Sequence, residues 1–69
     1  MEIIFKFGNE QIREQVDVDI PIIKVYELAS YHFDMPIANV GLYLNGNFLN
    51  SNLSYDIKDG SVIEVQMDR

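Results

Sequence analysis

Cysteine and tryptophan are absent from the 69-residue chain, and histidine occurs once, at His32. Without cysteine there is no disulfide and no thiolate zinc site, so the chain folds on packing alone. Nucleophilic and metal chemistry are left with few groups to carry them. Bases are scarce too: five Lys and Arg stand against eleven Asp and Glu, for a net charge of −6. No basic stripe is present to displace counterions from nucleic acid, and an anionic membrane surface is disfavoured for the same reason. No apolar run approaches the ~18 residues of a membrane span. The start, Met1-Glu2-Ile3-Ile4-Phe5, has neither a basic region nor a cleavage site, so a cytoplasmic location is expected. What the chain does have is 48% hydrophobic content, which supports a packed core and argues against disorder. Its length fits one domain over residues 1–69.

One stretch reads as helix, from Asp19 to Phe33. At about 100° per residue, Ile22, Val25, Ala29 and Phe33 share a stripe. Leu28 and His32 flank it on one side and Tyr26 on the other, with Lys24, Glu27 and Tyr31 opposite. Pro21 suits the first helical position, where its missing N–H would have no partner anyway. Met35-Pro36 should stop the helix, because a residue before proline leaves the α region. The remainder reads as strands and turns. Ile3, Phe5 and Phe7 alternate with Glu2, Ile4 and Lys6. After a Gly8-Asn9-Glu10 turn, Ile12, Glu14, Val16 and Val18 alternate with Gln11, Arg13, Gln15, Asp17 and Asp19. Glu14 is the polar flaw in that apolar phase. Val40–Leu44 reads as a third strand, Asn45-Gly46 as a type I′ turn and Phe48-Leu49 as a short fourth strand. Leu53, Tyr55 and Ile57 are expected to tuck under the sheet. Ser61–Met67 closes the chain, with Ile63, Val65 and Met67 toward the helix. One apolar stripe needs one sheet to bury it, so the fold class is α+β.

Chemistry is thinly represented. His32 sits at the flank of the apolar stripe, and no companion is spaced to join it as a ligand. The expectation is a partly buried histidine with its polar edge reaching solvent. Asp17 and Asp19 fall on the polar face of the second strand and read as an exposed charged face, since no third group or cleft accompanies them. Gly8, Gly41, Gly46 and Gly60 are isolated and form no phosphate loop. The chain therefore does not read as an enzyme, and no cofactor or metal is expected. A binding module is the expectation for a stable domain without a reactive site. Ile23 and Tyr31, on the outer side of the helix, are apolar enough to meet a partner.

Several strings, by their order and spacing, resemble ubiquitin and the β-grasp ubiquitin-like domains. They are Met1-Glu2-Ile3-Ile4-Phe5-Lys6, then Pro36 followed by Gly41-Leu42-Tyr43-Leu44-Asn45-Gly46-Asn47-Phe48-Leu49, then Leu53-Ser54-Tyr55-Asp56-Ile57 followed by Ser61-Val62-Ile63-Glu64-Val65. The resemblance implies a mixed four- to five-stranded sheet on one helix, with the first and last strands parallel at its centre. Conjugation and sulfur carriage in that family use a tail ending in two glycines. This sequence ends Gln66-Met67-Asp68-Arg69, so neither role is expected. The positions matching ubiquitin's receptor-binding patch are Tyr43, Glu64 and Gln66.

Two strings, Ile20-Pro21-Ile22-Ile23-Lys24-Val25 and Leu53 through Ile63, are similar to the YukD/EsaB group of small bacterial ubiquitin-like proteins. That resemblance implies a non-catalytic accessory or regulatory protein of a type VII (ESX-like) secretion system. It would act by contact with protein partners among the secretion-machinery components. The alternative is a eukaryotic-type ubiquitin-like module that binds ubiquitin-receptor or proteasomal partners. The expected contact surface is the sheet face away from the helix, with Ile4, Lys6, Tyr43, Glu64 and Gln66. Ile23 and Tyr31 form a second candidate surface, and a homodimer is left open.

Overall fold

The computed structural model describes residues 1–68, and Arg69, part of the C-terminal string above, lies outside the described residues. Strands β1 (Glu2–Phe7) and β2 (Glu10–Gln15) form a hairpin, followed by helix α1 (Ile22–Phe33). A single 3-10 turn (Ile37–Asn39) leads into β3 (Val40–Leu44), β4 (Asn47–Phe48) and β5 (Ser61–Met67). The five strands form one sheet in the order β2-β1-β5-β3-β4. β1 and β5 are parallel and the other pairs antiparallel. The mixed sheet on one helix expected from the resemblance is thus observed, with β5 at the centre.

The core is where the periodicities meet. Ile3 and Phe5 of β1, Leu42 of β3, and Ile63 and Val65 of β5 are buried against Ile22, Val25, Tyr26 and Ala29 of α1. The turn chemistry follows the sequence. Gly8 alone has positive φ in the first hairpin, at 59°, the pattern of a type II′ turn, while Asn45 (53°) and Gly46 (80°) both have it, as type I′ requires.

The structure corrects several expectations. Pro21 is the N-cap, not the first helical residue: its ψ of 147° is extended, and its carbonyl accepts from Lys24 and Val25. At the other end Asp34 takes the left-handed conformation (φ 53°) and Met35 N–H returns to the Ser30 carbonyl. This closure swings Met35 into the core, at 4% exposure. β2 stops at Gln15 rather than running to Asp19, because a turn with Ile20 N–H on the Asp17 carbonyl (3.2 Å) replaces the strand. Val18 is consequently exposed, and Asp17 and Asp19 lie on a connection, not on a strand face. Met67 keeps the helix-side parity of Ile63 and Val65 but is not covered. β1 follows β5 only as far as Glu64, so the strand's last turn of pleat has β3 alone beside it and Met67 is exposed. Leu53 is exposed as well, in a turn where its N–H meets the Asn50 carbonyl. Tyr55 and Ile57 do pack on the core as expected.

β4 ends one residue early, at Phe48, yet Leu49 is almost wholly buried. Tyr26 accounts for this. Leu49 N–H donates to the Leu42 carbonyl (2.9 Å), half of an antiparallel pair. The other half is relayed: Leu42 N–H donates to the Tyr26 hydroxyl (3.4 Å), which donates to the Leu49 carbonyl (2.6 Å). The helix thus inserts one hydroxyl into the ladder and pins the sheet's edge.

Candidate protein-interaction surface

Strand pairing sets what the outer sheet face presents. Lys6 is the register partner of Glu64, Glu64 of Tyr43, and Tyr43 of Phe48. These side chains form one row across four strands, on the face opposite the core residues that alternate with them. Ile4 pairs with Val62 in the neighbouring row, and Gln66 with Gly41 on the other side. All five residues expected from sequence therefore share this face: Ile4 and Tyr43 half-buried, Lys6, Glu64 and Gln66 exposed. No ion pair joins Lys6 and Glu64 among the described residues.

The aromatic end of the row is held by direct side-chain contacts. Tyr43 and Phe48 meet edge to face with ring centroids 5.6 Å apart. The Tyr43 hydroxyl donates to Asp68 Oδ2 at 2.8 Å. Gly41 makes room for that carboxylate, since a Cβ built there would overlap Asp68 Oδ2. The bond to Asp68 raises the Tyr43 phenol above the usual tyrosine range, with burial and the carboxylate's charge adding to it. The folded state therefore favours the neutral phenol. The stabilisation is fully present below about pH 10, tyrosine's ordinary value, and is lost as pH rises through the raised one. A carbon-13 NMR titration should show Tyr43 ionising above its ordinary value. Asp68→Ala should bring it back down, and an unchanged titration in that variant would count against the contact.

Phe48 and Val62, at 53% and 43% exposure, were not singled out from sequence as surface residues. Their signal was available. A two-residue type I′ turn at Asn45-Gly46 forces Tyr43 opposite Phe48, and Val62 shares parity with Glu64.

The second candidate surface is spread along the helix. Ile23 and Tyr31 are both exposed, but eight helical residues separate them by about 12 Å along the axis. Tyr31 lies beside His32 (5.4 Å between ring centroids). Ile23 instead lines a hollow with Ile37, Val40 and Phe48, at the edge where β3 lacks a full-length neighbour.

His32 departs from expectation. Its Nε2 is shielded from solvent and lies 3.5 Å from Glu14 Oε2 without forming a hydrogen bond. The two polar residues that interrupt apolar phases, Glu14 on β2 and His32 on α1, thus face each other. Among the described residues no group of three or more His, Cys, Asp or Glu is arranged to hold a metal ion. No helix among them is long and apolar enough to cross a membrane.

Solved structures share this architecture. The N-terminal ubiquitin-like domain of the 4931431F19Rik protein superposes with a TM-score of 0.82 over 97% of this chain and 73% of that one, at 15% identity. The fold is a ubiquitin-like β-grasp. ATBAG1, solved in complex with HSP70, superposes with a TM-score of 0.89 over 99% of this chain, which spans 40% of that chain's length, at 13% identity. At such identities the likeness carries the fold alone. No protein-family model and no curated protein sequence matches the chain. The β-grasp frame puts Tyr43, Glu64 and Gln66 together on the open sheet face and the single helix on the other.

Proposed function

We propose that the protein is a non-catalytic interaction module that binds a partner protein through the outer face of its sheet. The observation that carries this reading is the apolar strip left uncovered there. Phe48 and Val62 are about half exposed beside Tyr43 and Ile4, on a face that no second layer covers among the described residues. The rigid aromatic pair Tyr43 and Phe48 lies toward the β4 edge, beside the polar groups Lys6, Glu64 and Gln66 of the inner strands, and so offers an apolar anchor next to charged selectors. ATBAG1, which shares the fold, is in complex with HSP70; this supports a protein partner in general.

The finer reading is an accessory role in a bacterial type VII secretion system. It rests on the strings Ile20–Val25 and Leu53–Ile63. Affinity capture from the native cell tests both levels at once. The intact protein is expected to recover a secretion-machinery component, and Tyr43→Ala with Phe48→Ala is expected to lose it. Recovery without any secretion component would overturn the finer reading. Equal capture by the variant would overturn the outer sheet face as the surface. In a titration with a ubiquitin-associated domain, amide shifts centred on Tyr43 would favour the eukaryotic-type alternative.

A further inference from the structure

A broad concavity lies away from that face. It is a groove of about 810 Å3 between the end of β2, the connection after it and the first turns of α1. Its apolar lining comes from Val16, Ile20 and Leu28, half-buried side chains packed on the core. Its charged lining is Glu14, Asp17, Asp19 and Glu27, against one cation among the described residues, Lys24. Lys24 is already engaged by Glu27, at 3.2 Å. Asp17 and Asp19 are exposed, with no ion pair or side-chain hydrogen bond among the described residues. The groove is therefore apolar at its base and carries uncompensated negative charge.

The groove also adjoins a free strand edge. β2 is outermost in the sheet. Val16 N–H donates to the Met1 carbonyl (2.9 Å) and the Met1 amino group to the Val16 carbonyl (2.7 Å). Antiparallel alternation then turns the backbone groups of Ile12 and Glu14 toward β1 and leaves those of Gln11, Arg13 and Gln15 pointing off the sheet. Gln15 borders the groove.

From this geometry we infer that the groove receives an extended, basic segment of a partner protein. The segment adds to the β2 edge at Gln15 and seats an apolar side chain on Val16, Ile20 and Leu28. It sets lysine or arginine against Asp17 and Asp19. Backbone pairing supplies affinity and the charges supply selection. A second copy of this chain does not fit the role, because its own net charge of −6 repels the acidic lining. The surface is distinct from the outer sheet face, and the inference stands whether or not that face binds.

The test is a nitrogen-15 NMR titration of the intact protein with a short end-blocked peptide that alternates lysine and valine. Peptides alternating glutamate with valine, and lysine with serine, serve as controls. Shifts are expected at residues 14–28 and along Gln11–Gln15, with Tyr43 and Phe48 unmoved and both controls weaker. Asp17→Asn with Asp19→Asn should weaken binding about five- to tenfold, and added salt should weaken wild-type binding. Both positions are exposed, and the unliganded spectrum of the variant verifies its fold. Absence of shifts, equal binding by the glutamate peptide, shifts centred on Tyr43, or unchanged affinity in the double variant would each overturn the inference.

Discussion

Phe5→Ala is expected to leave about half or more of the molecules unfolded at room temperature. Phe5 has no exposed surface. It sits on β1 between Ile12 of β2 and Ile63 of β5. Its ring lies edge-on to Phe33 at 6.4 Å between centroids and 6.2 Å from the ring of His32. Truncating a buried phenylalanine costs about 3–5 kcal/mol, from lost transfer energy and the cavity left behind. A domain of this size, without a disulfide or metal, commands roughly 3–5 kcal/mol in total. The loss matches the whole of it. Circular dichroism and amide dispersion check the result, with Phe5→Leu as the volume-retaining control, expected to lose less than about 1.5 kcal/mol and stay folded. A cooperative Phe5→Ala transition within about 1 kcal/mol of wild type would show the core to be more adaptable than its burial implies. Phe48→Ala makes the contrast: a half-exposed ring that gives up its edge-to-face contact with Tyr43 should cost about 0.5–1.5 kcal/mol, short of unfolding the domain, so loss of partner binding in that variant cannot be charged to unfolding.

Alternation at Ile3 and Phe5, at Ile63 and Val65, and the stripe at Ile22, Val25 and Ala29 all found their buried faces, because short-range periodicity is set by backbone geometry alone. Met67 keeps the same alternation and is exposed, whereas Val18 is exposed because the turn after Gln15 ends the strand before it. A strand's phase buries a side chain only where another layer continues above it, and where layers end is a long-range fact. Met35 entered the core through the left-handed turn at Asp34, which no hydrophobic period encodes.

The candidate surfaces divide in the same way. Lys6, Glu64 and Tyr43 were assigned to one face by strand parity, but their alignment in a single row needed the register. Ile23 and Tyr31 shared a helix side in projection and are held apart by the helix's rise. The groove beside β2 was hidden more completely. Asp17 and Asp19 read as one exposed strand face until the chain's turn after Gln15 set them around Val16 and Ile20. The Glu14 and His32 pairing was latent in two anomalies that only the packing of β2 against α1 brings together.

Tyr26→Phe is expected to cost about 1–3 kcal/mol, much for a change of one oxygen atom. The hydroxyl is buried and does two jobs, donating to the Leu49 carbonyl and accepting from Leu42 N–H. Phenylalanine fills the same space and leaves that carbonyl without its partner, so the cost is the desolvation penalty of an unpaired polar group and not a cavity. At roughly 4–8 °C per kcal/mol for a domain of this length, the melting temperature should fall by about 4–24 °C. Burial raises the Tyr26 phenol above the usual tyrosine range, with the Leu42 amide pulling it down. The neutral hydroxyl is therefore the folded form, and its stabilisation holds below about pH 10 and fades as pH passes the raised value. Hydrogen exchange distinguishes this account from a general loosening. The Leu42 amide should exchange faster in Tyr26→Phe by more than global destabilisation explains, while amides of the β1–β2 hairpin follow the global change alone. If stability falls by less than about 0.5 kcal/mol and Leu42 exchange is unchanged, the hydroxyl is not the link that closes β3 onto Leu49, and the early end of β4 requires another cause.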